Sequence, residues 1–434
     1  MPRPKSSISD FFSRFDRLPS QESLLGILRD KFREIAAFYG FEKIHTSFLE
    51  EPRAFLPLAK AGFFDERTPV LCKTRAGAEF ALRFSGALSI LRAYVVHKMN
   101  DLPHPLKFFF DAEGFFLDSP RGKEVRMRGE WGLVMIGEEG PIAEAEVIQV
   151  IWKGLVDAGL KGDSVEIRIN AVGCAECRPI YRSQLGTHLR NRAARLCRNC
   201  KRHTKRSPAR IWFCGEEKCK IVGNNAPQVL DFLCDACKKH LRGVLEFLDE
   251  LRVPYFLDSR LFKDGSFFST LIFELAVRQS TAGATGEETS AVIFGEGGRM
   301  SRAGELIAGK RIDAAAAILQ LDKVAACIGG GVSRPEEERP KVFLAQLGEL
   351  AKRKSFGLLE LLRQNDISVR ESLGRDSVKS QLKSAELLGA EVALILGQKE
   401  ALDGTIIFRE VQSGIQETIA QEKLIEFLRK KLKK

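Results

Sequence analysis

The sequence predicts a protein of mixed α and β structure in two or three domains, the last of them a small α/β unit. Its 434 residues exceed what a single hydrophobic core ordinarily organises. Helix-period and strand-period segments alternate over much of the chain. The glycine-, proline- and charge-rich stretch Gly329-Gly330-Gly331-Val332-Ser333-Arg334-Pro335-Glu336-Glu337-Glu338-Arg339-Pro340 reads as a linker that sets residues 341–434 apart.

Taken in order, residues 21–37 carry an amphipathic helical pattern and lead into a strand-like stretch over residues 40–48. A second amphipathic helix is predicted over residues 142–156, with Gly159 just beyond it as a stop signal. Val165-Glu166-Ile167-Arg168-Ile169-Asn170 alternates apolar and polar residues, as a half-buried strand does. Residues 174–237 are rich in cysteine and basic residues, and strand signals return at Tyr255-Phe256-Leu257 and over residues 269–274. Beyond the linker, strands and helices alternate over residues 341–347, 355–364, 377–388, 392–396 and 405–408. The last element, residues 418–433, reads as a helix with Ile419, Leu424, Phe427, Leu428 and Leu432 on its apolar side. This alternation predicts a small α/β domain with a mainly parallel sheet.

Hydrophobic residues make up 44% of the chain and charged residues 29%, ordinary values for a soluble globular protein. No apolar run approaches the ~18–20 residues that span a bilayer, and the first residues hold no apolar signal-peptide core. The expectation is a cytoplasmic protein with no membrane association. The net charge is +11, and residues 182–220 hold twelve Lys or Arg against two acids, Glu216 and Glu217. Arg190, Arg192, Arg195, Arg198, Lys201, Arg202, Lys205, Arg206 and Arg210 form the centre of this run. So concentrated a patch points to an anionic partner, most naturally a nucleic acid; the plainer reading is a solvated helix surface.

Eight of the ten cysteines form four local pairs: Cys174/Cys177, Cys197/Cys200, Cys214/Cys219 and Cys234/Cys237. In a cytosolic chain such spacing argues for metal before disulfide, and thiolates suit zinc. The pairing most natural in sequence puts Cys174, Cys177, Cys197 and Cys200 on one ion, in a zinc-ribbon spacing. Cys214, Cys219, Cys234 and Cys237 would then hold a second. Four thiolates leave no open position, so one or two such zinc ions would be structural; the alternative is a set of buried free thiols.

Tyr39-Gly40-Phe41-Glu42-Lys43-Ile44 resembles the first class II motif of histidyl-tRNA synthetases. The resemblance continues through Ala143-Glu144-Ala145-Glu146-Val147-Ile148 and residues 170–173, and the cysteine region looks like the insertion of a zinc-ribbon-bearing subset. Residues 341–434 resemble that family's anticodon-binding domain, notably at Gln346-Leu347-Gly348-Glu349, Gln381-Leu382-Lys383 and Leu396-Gly397-Gln398-Lys399-Glu400. The resemblance implies an α+β class II fold, an antiparallel sheet flanked by helices, and a homodimer. It divides the chain into a synthetase-like core at residues 1–160 and 251–328, a basic zinc-ribbon insertion at 161–250, a linker at 329–340 and an anticodon-binding-like domain at 341–434. It also implies RNA contacts from the basic insertion and, at the C-terminal domain, from Arg375, Lys379 and Lys383.

At the positions that run histidylation, the chain departs from the family. Where the second motif expects F-R-x-E, it has Phe115-Phe116-Leu117-Asp118, so Phe116 replaces the essential arginine. The R-P-E-G-T loop reads Arg83-Phe84-Ser85-Gly86-Ala87, which puts Ser85 in place of the carboxylate that holds the substrate ammonium. The H-Q-x-G-x-E stretch is Gly129-Glu130-Trp131-Gly132-Leu133-Val134, with Glu130 at the glutamine and Val134 at the glutamate. The L-V-R-G-L-D-Y-Y signature is Leu261-Phe262-Lys263-Asp264-Gly265-Ser266-Phe267-Phe268, so Lys263 replaces a substrate-contacting arginine. In the third motif, Lys323 stands at the arginine and Gln320 at the glycine. Adenylate formation needs cationic clamps on the α-phosphate, a task for the planar arginine fork. The leading expectation is therefore an inactive relative that binds tRNA or another structured RNA. A divergent working ligase using ATP and Mg²⁺, and a regulatory subunit of a metabolic enzyme, are the alternatives.

Overall fold

The computed structural model describes residues 16–64, 68–117, 124–278, 291–328, 340–372 and 377–432. They belong to two compact units, Met1–Val332 and Ser333–Lys434. The linker at residues 329–339, Asp118 and Arg375 lie outside the described residues.

In the first unit, helix α1 (Pro19–Phe38) opens on Pro19, whose missing N–H is no loss in a first turn. Leu25, Leu28, Phe32 and Ala36, three or four residues apart, are all buried. The strand predicted over residues 40–48 shrinks to β1 (Glu42–Lys43). It lies at a sheet edge with one parallel partner, β5 (Leu106–Leu117), and both of its side chains face solvent. Next come β2 (Leu49–Glu50), helix α2 (Pro52–Lys60), β3 (Leu71–Lys73) and β4 (Glu79–Leu82), whose strands make a small antiparallel sheet. Helix α3 (Gly86–Val96) follows, buried over most of its surface.

The main sheet has eight strands in the order β1-β5-β6-β11-β10-β9-β7-β8. Its members beyond β5 are β6 (Val125–Ile136), β7 (Val165–Gly173), β8 (Phe256–Leu257), β9 (Ser269–Arg278), β10 (Ala291–Arg299) and β11 (Ala314–Leu319). The pairs from β5 to β7 are antiparallel, and only the short edge strands β1 and β8 run parallel to their neighbours. At the centre the strands need small residues. A Cβ on Gly132 would meet the Ala317 carbonyl oxygen at 2.5 Å, and one on Gly297 the Ala316 oxygen at 2.4 Å.

Helix α4 (Ile142–Asp157) covers one face of this sheet, packing against α1 and β11. A buried network fixes it there. Glu144 and Arg299 form an ion pair in which Arg299 Nε donates to Glu144 Oε1 at 2.8 Å, while Arg299 Nη1 and Nη2 donate to the carbonyls of Glu138 and Gly140 at 2.7 Å each. His240 Nε2 adds a hydrogen bond to Glu144 Oε1 at 2.8 Å. Removing one partner strands a buried charge, so Glu144→Ala is expected to destabilise this unit by about 3–5 kcal/mol. Thermal or urea melting monitored by tryptophan fluorescence checks it; a loss under about 1 kcal/mol would contradict this role.

The cysteine-rich insertion is helical. Among the described residues it consists of α5 (Cys177–Asn191), α6 (Arg198–His203), α7 (Glu217–Asn224), α8 (Asp235–Glu250) and short 3₁₀ turns. The ribbon that the cysteine spacing suggested is absent from it: the knuckles cap helices instead of joining strands. The insertion also starts later than residue 161. Residues 165–173 are β7, hydrogen-bonded along β9 within the main sheet, so this stretch belongs to the core. Tyr181, Leu185, Ile211, Val222 and Val244 extend the same hydrophobic core into the insertion. Helices α9 (Ser301–Ala308) and α10 (Leu321–Ile328) complete the unit.

The second unit is a five-stranded sheet, β13-β12-β14-β15-β16. Its elements in chain order are β12 (Val342–Gln346), α11 (Glu349–Gln364), β13 (Val369–Glu371), α12 (Val378–Leu387), β14 (Val392–Leu396), α13 (Gln398–Asp403), β15 (Thr405–Glu410), β16 (Gln416–Ala420) and α14 (Leu424–Lys431). The sheet is mixed instead of mainly parallel: β12 pairs parallel with β13 and β14, while β14–β15 and β15–β16 are antiparallel. The helix expected from residue 418 begins only at Leu424. Residues 416–420 pair with β15, where β-branched Thr418 and Ile419 suit a pleated surface.

Candidate catalytic centre, thiolate clusters and basic surface

The segments that first suggested a family serve as scaffold. Glu144 of Ala143-Glu144-Ala145 is one end of the buried ion pair with Arg299 described above. Asn170 Nδ2, on β7, donates to the Leu261 carbonyl at 3.1 Å and so anchors the loop that carries Lys263. In the second unit Gln346 N donates to Gln381 Oε1 at 3.0 Å, and Gln381 Nε2 returns a bond to the Gln346 carbonyl at 2.8 Å. That pair locks α12 onto β12.

The positions that the resemblance assigns to catalysis gather over the middle of the main sheet. Ser85 precedes α3, is buried, and its Oγ has no hydrogen-bond partner among the described residues. Beside it the Glu130 carboxylate, only 1% exposed, accepts from Gly86 N at 2.9 Å and from Arg128 Nε and Nη2 at 2.9 and 2.5 Å. A carboxylate thus returns next to Ser85 from the neighbouring strand, already tied to a guanidinium. Phe116 points its ring at the same group, with Arg128 Cζ 5.4 Å from the ring centroid. A cation therefore lies beside the missing arginine's position, held by Glu130 and a π face.

Lys263 is equally committed. Glu274 and Glu296 face each other across β9 and β10, an arrangement that like charges disfavour. Lys263 Nζ bridges them at 2.6 Å and 2.8 Å. Burial opposes ionisation of both Lys263 and Glu296. Their mutual attraction outweighs it, with Arg128 and Lys323 adding to the field on Glu296, so the Lys263 pKa rises and the Glu296 pKa falls. Lys323, exposed on α10, donates from Nζ to the Ile293 carbonyl at 3.1 Å. Phe267 and Phe268 pack with ring centroids 4.6 Å apart and planes tilted by 46°, and Val134 is fully buried. Sequence reasoning missed Arg128, Glu274 and Glu296. The signal was present in the strand period, since Arg128 and Glu130 lie two apart on one face of β6.

The thiols form two tetrads, nested and not consecutive. Cys197, Cys200, Cys214 and Cys219 converge within 4.8 Å, and so do Cys174, Cys177, Cys234 and Cys237. The expected partition is therefore corrected: the first and last pairs share one cluster, and the inner pairs share the other. The fold explains it, because Cys174/Cys177 at the start of α5 and Cys234/Cys237 at the start of α8 bring the insertion's two ends together. Sulfur separations of 3.6 Å (Cys174–Cys177) and 3.9 Å (Cys197–Cys214) bracket the ~3.8 Å edge of a tetrahedron with ~2.3 Å metal–sulfur bonds. Backbone N–H groups donate to the sulfurs, from Cys200 to Cys197 Sγ at 3.3 Å and from Cys234 to Cys177 Sγ at 3.1 Å. The Cys200 N–H is the chief cause that brings the Cys197 thiol down to about 7. These sites fit four-thiolate zinc.

The nine cations from Arg190 to Arg210 named above are all exposed, on α5, on α6, in the turn between them and, for Lys205, Arg206 and Arg210, in the stretch after α6. Phe213, 61% exposed, adds an aromatic face that the charge pattern did not flag. Lys379 and Lys383 are exposed on α12 of the second unit.

Comparison with known proteins accounts for this mixture. The family model described as Histidyl-tRNA synthetase matches residues 14–315, and that described as Anticodon binding domain matches residues 341–431. Proteins named histidine–tRNA ligase from Pelotomaculum thermopropionicum and Halothermothrix orenii are 30% and 31% identical, each covering 96% of this chain, with 96% and 97% of their own lengths matched. Among solved structures, the apo histidyl-tRNA synthetase of S. aureus superposes with a TM-score of 0.71 at 24% identity, covering 98% of both chains. A structure titled ATP phosphoribosyltransferase regulatory subunit/histidyl-tRNA synthetase, from Bacillus halodurans C, superposes at 0.58 with 15% identity, over 88% of this chain and 95% of its own. With matching models over both units and relatives aligned almost end to end, the chain belongs to the histidyl-tRNA synthetase family, class II.

Proposed function

We propose that this chain binds tRNA or another structured RNA and does not attach histidine to it. The observation that carries this reading is the self-neutralised centre: Arg128 is held by Glu130, and Lys263 is held by Glu274 and Glu296. Two of the cations a substrate's phosphate or carboxylate would need are already paired, and Lys323 is tied only to a carbonyl. ATP–pyrophosphate exchange with each of the twenty amino acids, run beside filter binding of total tRNA, tests it. Binding without exchange is expected; exchange with any amino acid overturns the reading. A divergent ligase using ATP and Mg²⁺ is the second reading, favoured by relatives that carry the ligase name over nearly their whole length. The match of residues 341–431 to an anticodon-binding model weighs against a purely metabolic regulator.

The thiolate tetrads would hold two structural zinc ions, Cys174, Cys177, Cys234 and Cys237 on one and Cys197, Cys200, Cys214 and Cys219 on the other. Zinc here supplies folding free energy, with no open coordination position. Metal analysis of protein purified without chelator is expected to give two zinc ions per chain. Cys197→Ser is expected to leave one, to lower the melting temperature of the first unit, and to leave the second unit folded. Less than half an ion per chain in the parent would refute the assignment. We further propose a homodimer, supported by the exposed apolar side chains of Phe38, Val96 and Leu102; light scattering would show twice the chain mass.

A further inference from the structure

Six of the nine exposed cations of the insertion, Arg198, Lys201, Arg202, Lys205, Arg206 and Arg210, lie between Cys197 and Cys214. The elements around them are short: α6 has six residues, α7 has eight, and a six-residue 3₁₀ turn (Pro208–Phe213) lies between them. Both helices pack on that turn. Helices shorter than ~12–15 residues are marginal on their own, so these pieces depend on what ties them together. The inner tetrad does so, with Cys197 and Cys200 at the start of α6, Cys214 after the turn and Cys219 in α7. The Cys197 N–H adds a bond to Cys219 Sγ at 3.2 Å. The outer tetrad joins elements that have other support. α5 and α8, fifteen and sixteen residues long, pack against β7 of the main sheet, and α8 also packs against α4, with Leu241, Val244 and Leu248 buried.

The surroundings of the two tetrads differ as well. In each, two thiols are half-buried and two are buried. The half-buried thiols of the inner tetrad, Cys197 and Cys214, mark the two ends of the basic segment, and their sulfurs are 3.9 Å apart. A partly exposed thiolate among cations is the reactive kind, because positive surroundings stabilise it. The outer tetrad opens on a depression that also holds Glu139, Glu305 and Asp313. Every arginine lining that depression is paired with a carboxylate: Arg299 with Glu144, Arg302 with Glu305, and Arg311 with Glu139 and Asp313. Oxidation chemistry therefore favours the inner pair.

We infer that Cys197 and Cys214 are an oxidation site for a hydroperoxide, and that their oxidation releases bound RNA. The inference rests on the proposed inner zinc site and, for the release alone, on the RNA-binding reading. The Cys197 thiolate attacks one peroxide oxygen; a sulfur–oxygen bond forms as the oxygen–oxygen bond breaks, and the other oxygen leaves as hydroxide. The Cys214 thiolate then attacks the sulfenic sulfur of Cys197, the disulfide forms, and a second hydroxide leaves. Two thiolates lose two electrons in all, and the peroxide gains them. Only Cys200 and Cys219 then remain as thiolate ligands, too few for a closed four-thiolate site. α6 and α7 lose their tie, and cations that one short helix and one turn held together spread along a loose chain.

The experiment treats the zinc-loaded full chain with a modest excess of hydrogen peroxide and removes the peroxide before each reading. Cys72→Ala and Cys327→Ala are present throughout, so that every remaining thiol belongs to a tetrad. A chelating dye reports released zinc, and peptide mass spectrometry maps the disulfides. Filter binding follows tRNA affinity before oxidation, after it, and after dithiothreitol with added zinc. One of the two zinc ions is expected to leave, with a Cys197–Cys214 disulfide and tRNA binding weakened at least about tenfold; the reductant restores both. Equal loss of zinc from both tetrads, a first disulfide among Cys174, Cys177, Cys234 and Cys237, or retention of both ions would overturn the inference. So would a Cys197–Cys214 disulfide that leaves tRNA binding at its starting strength. Untreated protein that binds no tRNA would sink the RNA reading instead, and selective formation of the Cys197–Cys214 disulfide would still establish the oxidation site. Untreated protein that takes up no zinc would sink the metal reading and this inference together, before any peroxide is added.

Discussion

Histidine-dependent ATP–pyrophosphate exchange by the purified protein is expected to stay at background, and Phe116→Arg is expected to leave it there. Losing one preorganised charge stabiliser costs about 10²–10³ in rate, and losses at one centre do not simply add. On the proposed reading, Phe116 and Ser85 replace the second-motif arginine and the ammonium-binding carboxylate. A guanidinium introduced at residue 116 would lie beside Arg128, so part of its charge would be spent on repulsion and part on Glu130. Nor does pH open the site. Lys263 has a raised pKa, so its pairing stabilises the fold below its ordinary value of 10.5 and is lost only at still higher pH. Glu296 has a lowered pKa, so its contribution holds above its ordinary 4.5 and is lost only on acidification below that. Between about pH 6 and 9 Lys263 and Glu296 both stay charged and their pair stays closed. Exchange near ~1 s⁻¹ at any pH in that window would show the centre to be functional.

The sequence made some of this architecture easy to read and hid the rest for physical reasons. α1 and α4 emerged within a residue or two because their apolar stripes keep helical period and bury one face. β11 did not emerge: four consecutive alanines, Ala314 to Ala317, favour a helix intrinsically. They form a central strand because β6 and β10 pair with them on either side, coming so close at Gly132 and Gly297 that a Cβ there would meet the Ala317 and Ala316 carbonyl oxygens, which is information held by two other segments. The thiolate partition was hidden in the same way. Local spacing shows that Cys197 and Cys200 share a knuckle; that Cys174 meets Cys234 depends on where α5 and α8 start. At the proposed centre the departures from the family's motifs could be read one by one. The internal pairing of Arg128–Glu130 and Lys263–Glu274–Glu296 could not, because it needs the register of β9 against β10 and the packing of the Lys263 loop onto that sheet.

Changing Arg195, Arg198 and Arg202 together to glutamate is expected to weaken tRNA binding by at least about a hundredfold at moderate salt, and to flatten its salt dependence. The proposed inner zinc knuckle explains why these three should act together. Cys197 and Cys200 sit at the start of α6, so Arg198 and Arg202 rise from a helix that the metal would fix, and Arg195 lies in the turn just before it. Cations held in one cluster engage several phosphates without first being ordered, and each engaged phosphate releases counterions. Log affinity falls with log salt by about 0.7–0.9 per contact, so three lost contacts should reduce the slope by about 2–3. Arg206 is left unchanged because it also lines a cavity shared with Arg178, Arg182 and Arg302, and its loss would mix two effects. Lys379→Glu with Lys383→Glu, on α12 of the second unit, is expected to weaken whole tRNA several-fold and to spare an acceptor-stem minihelix, which offers that unit no anticodon. Zinc content at the parental level in the triple variant establishes that charge, and not folding, was changed. If that variant binds tRNA as tightly as the parent at moderate salt, the basic run is only a solvated face. The regulatory-subunit alternative would then gain ground, with co-purification of a metabolic enzyme as its test.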